Sequence, residues 1–352
     1  MSDESKKSGR QDRRNLKRVT LRDVAKKADV HISTVSRVLN PSQRKMVSQE
    51  VVERVQKIAK EMGYSANPFG YGLRTNRSNL VGVVIPDLAN PIFPPIVRSA
   101  EKRFQDAGYS VMFADTNESA ESENIIVERI LSRQVDGLIL ATANRDFTPH
   151  IKTLVEKVPT VLVNRMASNS DLLSVTNDDF YGAKIAVEHL ISQGHKKIAH
   201  LAGPQNLSTG FQRKNGYLSA LEAAGIKPNE DLIIPCEAFG FQDGRTGFET
   251  LENSKLPYTA IFAANDFIAL GCYHKMREYD IQCPDDVSII GYNDMPFSNM
   301  FHPALTSVKI DLYQMGLEGA NLLMKLIDGQ GEDLESMVLK PNLVIRHSTR
   351  EL

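Results

Sequence analysis

The chain has 352 residues, 41% of them hydrophobic, with 42 Lys and Arg against 43 Asp and Glu and a formal net charge of −1 at pH 7. That length suits two or three domains with well-formed cores. The polar, charged start does not resemble a signal peptide and no apolar run approaches the roughly 20 residues that span a bilayer, so neither export nor a membrane span is indicated and a cytoplasmic protein is expected.

The near-neutral total conceals two opposite parts. Up to Arg77 there are 18 basic and 8 acidic residues, and beyond it 24 basic and 35 acidic, so a head of net charge +10 precedes a body of −11. A basic head on an acidic body fits a head that faces a polyanion and a body that must not adhere to it. Residues 1–18 are nearly free of apolar groups and are expected to form a disordered basic arm, adding phosphate contacts or simply remaining a solvated tail.

Residues 19–40, VTLRDVAKKADVHISTVSRVLN, carry two short amphipathic patterns. Leu21, Val24 and Ala25 share one helical face, and Val35, Val38 and Leu39 share another. Ala28, Asp29 and Val30 leave room for only a tight turn between them, as in a helix-turn-helix, although any helical hairpin would show the same apolar spacing. The second helix, about residues 32–39, would present Ile32, Ser33 and Arg37 to base edges in a major groove, with Thr34 and Ser36 placed for phosphate oxygens. A third helix starts at Ser48, carries Val51, Val55, Ile58, Ala59 and Met62, and stops at Gly63. The DNA-binding head is thus expected over 19–63, followed by a linker over 64–79 that is rich in Gly, Asn, Arg and Ser.

From Leu80 onward, β-branched apolar runs alternate with amphipathic stretches, which predicts parallel sheets covered by helices. Strands are expected over 80–86, 110–115, 137–141, 160–163, 197–202, 232–235, 260–264 and 287–291. A polar stretch near 172–179 is expected to divide them into two α/β lobes. Polar residues gather at the strand ends: Asp87, Asn90, Asp115, Asn164, Arg165, Asn265, Asp266, Asn293 and Asp294. Ligands of open α/β sheets bind there, but Asn and Asp at such junctions also serve as helix N-caps, and Asp179 and Asp266 read as caps. With Arg213 for charge and Phe93 and Phe239 for packing, the junctions suggest a small polar ligand.

Cys236, Cys272 and Cys283 are odd in number and lack CxxC spacing, and the eight histidines show no paired metal spacing. No disulfide framework, metal site or cofactor is expected. There is no Gly-rich phosphate loop and no GxSxG elbow, so an enzyme is not indicated. A carbohydrate receptor built from the same two lobes would lack a reason for the basic head.

The ordered set of VTLRDVAKKADVHISTVSRVLN, GYSANPFGYGLR, VGVVIPDLANPIF, QRKNGY, AANDFIALG and GYNDMPFSNMFHPALTSVKID resembles the lactose-repressor (LacI/GalR) family of bacterial transcription regulators over about residues 19–350. The resemblance implies an α-helical helix-turn-helix head and an α/β two-lobed body of two doubly wound parallel sheets, related to periplasmic sugar-binding proteins. The effector-binding and dimerisation body would be 80–352, lobe one about 80–177 and 310–339, lobe two about 178–309 and 340–352. It implies a homodimer or larger assembly, most simply a repressor of carbohydrate-utilisation genes, whose paired heads bind a pseudo-palindromic double-stranded operator under control of a small-molecule effector. Carried over residue by residue, it places DNA contacts at Thr20, Ile32, Ser33, Thr34, Ser36, Arg37 and Asn40, with a minor-groove wedge at Leu73. Effector contacts fall at Asn90, Phe93, Asp115, Asn164, Arg165, Arg213, Phe239, Asn265 and Asn293.

Several positions depart from the family pattern. Asp29 stands where Gly is usual in the turn, and His31 where a Ser usually caps the recognition helix. In the linker, Gly70 and Gly72 would each cost about 1 kcal/mol of helix relative to Ala, so a hinge helix is expected to form only on DNA. Asn164 and Asn293 stand where related sugar sites often carry Asp. With Arg165 and Arg213 retained, this favours an acidic sugar derivative, against the alternative of a neutral sugar with Arg165 paired to Asp115 or Asp178.

Overall fold

The computed structural model describes residues 19–39, 44–64 and 77–352. The chain separates into two compact units, Met1–Asn76 and Arg77–Leu352.

Among its described residues the first unit holds three α-helices, α1 (Leu21–Ala28), α2 (Ile32–Leu39) and α3 (Gln49–Glu61). Thr20 begins α1 with a capping box: its side chain accepts from the Asp23 N–H while the Asp23 carboxylate accepts from the Thr20 N–H, satisfying donors that a helix start leaves open. Asp29 ends α1 at φ 50°, ψ 52°, the left-handed conformation that its short polar side chain tolerates. Val24, Ala25, Ala28, Val35, Val38, Val52, Val55 and Ala59 are buried together as one small core. The apolar spacing alone places Val51, Ile58 and Met62 on the inner face of α3. They pack at its margin, and Val52 takes the central place beside Val55 and Ala59. Ser48 sits at the N-cap of α3 without a side-chain capping bond.

The second unit is built on two six-stranded sheets. The first has the order β11-β5-β4-β3-β1-β2, with β1 (Leu80–Ile85), β2 (Ser110–Asp115), β3 (Gly137–Leu140), β4 (Thr160–Val163), β5 (Ser174–Asn177) and β11 (Met337–Leu339) all parallel. The second has the order β12-β10-β9-β8-β6-β7, formed by β6 (Ile198–Ala202), β7 (Ile233–Pro235), β8 (Ala260–Ala263), β9 (Ser288–Asn293), β10 (Thr306–Lys309) and β12 (Asn342–Val344). Only β12 runs antiparallel. Helices cover both faces, which is why β3, β4, β6, β8 and β9 are buried along their whole length and read as continuous apolar runs.

The polar stretch near 172–179 does not simply divide the strands. Its Ser174, Val175, Thr176 and Asn177 form β5, buried between β4 and β11. Backbone pairing with two neighbours, and the Ser336 hydroxyl accepting from the Ser174 N–H, offset the cost of burying polar side chains. The chain crosses between lobes at Asp178, again between β10 and α11 (Leu312–Ile327), and finally between β11 and β12. In lobe one, α11 lies against α4 (Phe93–Asp106) at Gly316, where an added Cβ would stand 2.0 Å from the Ile96 carbonyl oxygen. No other residue fits that crossing.

Candidate functional sites in the head and the cleft

In the head, α2 presents His31, Ile32, Ser33 and Arg37 to solvent, with Thr34 and Ser36 partly buried beside them. The departure at His31 is resolved by the ring itself. Its Nδ1 accepts from the Ser33 N–H at 3.3 Å and contacts the Ser33 hydroxyl at 2.8 Å, so the imidazole takes the capping place with its proton on Nε2. At the other end the Arg44 Nε donates to the Val38 carbonyl. Thr20 is exposed, but its hydroxyl is engaged with Asp23. Asn40 and Leu73 lie outside the described residues.

In the body, the strand ends of both lobes meet at a narrow cavity of about 20 Å³ lined by Asn90, Ile92, Phe93, Asn164, Arg165, Thr209, Arg213, Phe239, Asn265 and Asn293. Eight of the nine positions read from the sequence are therefore brought together. Asp115 is not: its carboxylate accepts from the Leu88 and Asn117 N–H groups, both at 2.7 Å, and holds the loops after β1 and β2. Thr209, on α8 (Ser208–Ala223), gave no sequence signal, yet its hydroxyl oxygen is buried without a partner in this cavity. Phe239 reaches the cavity because residue 203 is Gly; a Cβ there would fall 2.3 Å from the phenyl ring.

The caps are displaced by one residue from expectation. Asn265, not Asp266, caps α10 (Asp266–Glu278): its Oδ1 accepts from Ile268 N–H, and its Nδ2 donates to the Phe239 carbonyl at 2.9 Å. Asp178, not Asp179, caps α7 (Asp179–Ser192). The freed carboxylates take buried roles. Asp266 accepts from the Met295 N–H and from the hydroxyls of Ser298 and Ser307, and burial pushes its pKa up to about 6. Asp179 pairs with Arg213.

That pair sets the electrostatics of the cleft. Arg213 donates through Nε to Asp179 at 2.8 Å and through Nη1 to the Ala264 carbonyl at 2.7 Å, and lies 3.7 Å over the Tyr292 ring. Burial pushes the Asp179 carboxyl up, against the pull of Arg213. Arg165 pairs with neither Asp115 nor Asp178. Its Nη2 stands 3.7 Å from Glu118, and burial draws its pKa down while Glu118 and Glu123 oppose the shift. Both arginines thus face carboxylates, and the positively charged cleft expected from residue identity does not form.

Beyond Arg165 and Phe239, a second space of about 100 Å³ opens between the lobes, lined by residues that include Glu118, Glu123 and Glu237. The lobes are latched beside it. Arg145 donates to the carbonyls of Asn206 and Gln205 at 2.8 and 3.2 Å and stacks 3.7 Å over the Phe211 ring, and Asn206 donates to Asn144 at 3.1 Å. Among the described residues there is no cluster of His, Cys, Asp and Glu fit to hold a metal, and no helix long and apolar enough to cross a membrane.

Comparison with known proteins places this architecture. Residues 20–67 match the model "Bacterial regulatory proteins, lacI family", and residues 187–349 match a periplasmic binding protein-like domain. The HTH-type transcriptional repressor CytR of Escherichia coli (strain K12) is 33% identical over 334 residues, covering 95% of this chain and 97% of the relative. A ribose operon repressor of Halalkalibacterium halodurans is 31% identical over 94% of this chain and 97% of its own length. Among solved structures, the lac repressor dimer bound to operator and the anti-inducer ONPF has a TM-score of 0.83 at 27% identity, covering 95% of this chain and all of that one. A transcriptional regulator CelR-cellobiose complex has a TM-score of 0.72 at 30% identity, covering 94% of this chain and all of that one. A helix-turn-helix head, a body of two mostly parallel sheets and near-complete overlap with repressors agree: the chain belongs to the lacI family of bacterial regulatory proteins.

Proposed function

We propose that this regulator binds a pseudo-palindromic operator as a homodimer and that a small polar ligand in the interlobe cleft controls its affinity. The exposed face of α2 carries the DNA reading: Ile32, Ser33 and Arg37 point to solvent on a helix fixed at both ends, and the first 77 residues hold the chain's basic excess. Arg37 is the residue to pair with a guanine, since a guanidinium matches its O6 and N7 acceptors. Asn40 and Leu73 extend this reading by family likeness, and Thr34, Ser36 and Thr20 serve phosphates.

The ligand reading rests on amides and phenyl rings facing one another across a closed cleft. Asn90, Asn164, Asn265 and Asn293 offer both donors and acceptors, while Phe93 and Phe239 offer flat apolar walls, a combination suited to a ring bearing hydroxyls. Because Arg213 is neutralised by Asp179, a neutral ligand such as a sugar replaces the acidic derivative expected from the sequence. Such a site binds and does not catalyse. A protein that reads operator DNA works in the bacterial cytoplasm. The test is a gel shift with genomic fragments at fixed salt, repeated with glucose and glucuronate, ribose and ribose 5-phosphate. Release from, or recruitment to, a preferred fragment by a neutral member supports the reading, and response only to the acidic members refutes it.

A further inference from the structure

We propose that Ser33 reads operator DNA as a hydrogen-bond acceptor alone, so that it selects a base offering an exocyclic amino group to the major groove, adenine or cytosine, and that His31 sets this polarity. This deepens the reading of the head as an operator-binding unit and rests on it.

A serine hydroxyl is ordinarily ambivalent. One rotatable O–H and two lone pairs let it donate to guanine O6 or thymine O4 as readily as it accepts from adenine N6 or cytosine N4. In α2 that freedom is removed. His31 occupies the N-cap, its carbonyl accepting from the Thr34 and Val35 N–H groups at 2.9 and 3.3 Å. Its Nδ1 accepts from the Ser33 N–H at 3.3 Å, the bond that a capping side chain makes to the second helical residue. The helix fixes the direction of that N–H, and a ring nitrogen that accepts carries no proton. The 2.8 Å contact between the same Nδ1 and the Ser33 hydroxyl therefore has one polarity: the hydroxyl donates and Nδ1 accepts. Ser33 has only lone pairs left for a partner outside the protein.

Position makes that polarity consequential. Ser33 and His31 are exposed, and the exposed Arg37 follows Ser33 by one helical turn on the same face. One turn rises about 5.4 Å, less than two base steps of about 3.4 Å, so the two side chains address neighbouring base pairs. Arg37 donates to the acceptors of a guanine, and Ser33 accepts from an amine within two base pairs of it. Opposite guanine or thymine, the Ser33 lone pairs meet other lone pairs and the bond is lost. A Ser at residue 31, usual in the family, has a rotatable hydroxyl of its own and would not fix the direction, so the selection belongs to His31 in this chain.

The test begins by selecting preferred duplexes from a randomised pool with the full-length protein and with Ser33→Ala, which identifies the base pair that Ser33 discriminates. Affinities are then measured for four duplexes that differ only there, which also separates adenine from cytosine. The unaltered protein should bind the adenine or the cytosine duplex about fivefold or more tighter than the guanine and thymine ones. His31→Ala, which removes the ring acceptor, should reduce this preference to about twofold or less. His31→Asn, whose Oδ1 is attached to Cγ as Nδ1 is, should restore it. Each preference is a ratio measured on one protein, so a weakened cap that leaves part of the head unfolded scales all four affinities alike and keeps the ratio readable. A preference for guanine or thymine, a preference that survives His31→Ala or is not restored by His31→Asn, or the absence of any position that responds to Ser33→Ala overturns the proposal and leaves operator binding through Arg37 standing. Failure to select any sequence from the pool sinks the reading of the head itself.

Discussion

Replacing Asp179 by Asn and Arg213 by Met, singly and together, tests how charge is held at the centre of the cleft. The two groups lie 2.8 Å apart with side chains only 6% and 4% exposed. At an effective dielectric constant of about 20 they attract by about 6 kcal/mol, much of it offset by desolvation. What an experiment sees is the cost of stranding one partner, about 3–5 kcal/mol. Asp179→Asn keeps the shape and one acceptor, so it belongs at the lower end. Arg213→Met leaves a carboxylate without its cation and the Ala264 carbonyl without its donor, so it belongs at the upper end. The double variant strands neither charge and should show a coupling of about 2 kcal/mol or more in urea unfolding of the body. Because burial already raises the Asp179 carboxyl, protonation relieves the stranded charge, and the Arg213→Met deficit should shrink from pH 7 to pH 5. Single costs below about 1 kcal/mol, or strictly additive ones, would refute the reasoning.

Three further outcomes are expected. Asp29→Gly should stabilise the head by about 1 kcal/mol, since Gly adopts the φ of 50° without Cβ strain; native-state hydrogen exchange in α1 and α2 that is unchanged or faster would contradict this. Asp266 has its carboxyl raised from 3.8 to about 6, so the folded state holds the proton more tightly than the unfolded chain. Its contribution to stability is full below about pH 4 and falls by about 3 kcal/mol as pH rises through 6, a dependence that Asp266→Asn should remove from urea midpoints measured across that range. Arg145→Ala removes the stack on Phe211 and the donor to Gln205, about 2 kcal/mol in favour of open lobes, and should enlarge the ligand-free radius of gyration in solution scattering; an unchanged radius would show that the latch does not hold the cleft.

The parts legible in the sequence were those governed by local periodicity and charge. Val24, Ala25, Val35 and Val38 announced a helical hairpin through their spacing, and the strands buried on both faces announced themselves as apolar runs. β5 was illegible because Ser174, Thr176 and Asn177 are polar residues inside a sheet, made tolerable by strands on either side that no local signal reveals. The two caps were misplaced by one residue because Asp-Asp and Asn-Asp pairs offer two residues of similar capping strength. In the cleft, residue identity gave the charges but not their partners. Asp179 and Arg213 are 34 positions apart, and Asp115, placed at a strand end like the others, spends its carboxylate on two loop amides. The acidic ligand followed from counting arginines without those partners.

The central claim is that an exposed recognition helix on a basic head reads specific duplex sequence. It is tested most directly by measuring, at fixed salt, the affinity of the full-length protein and of its Arg37→Ala variant for genomic fragments against random duplex. The account predicts that a small set of fragments is bound about 10³-fold or more tightly than random DNA, and that Arg37→Ala cuts this preference by about tenfold or more while nonspecific binding changes far less. Equal affinity for all duplexes, or a preference untouched by the loss of Arg37, would contradict it.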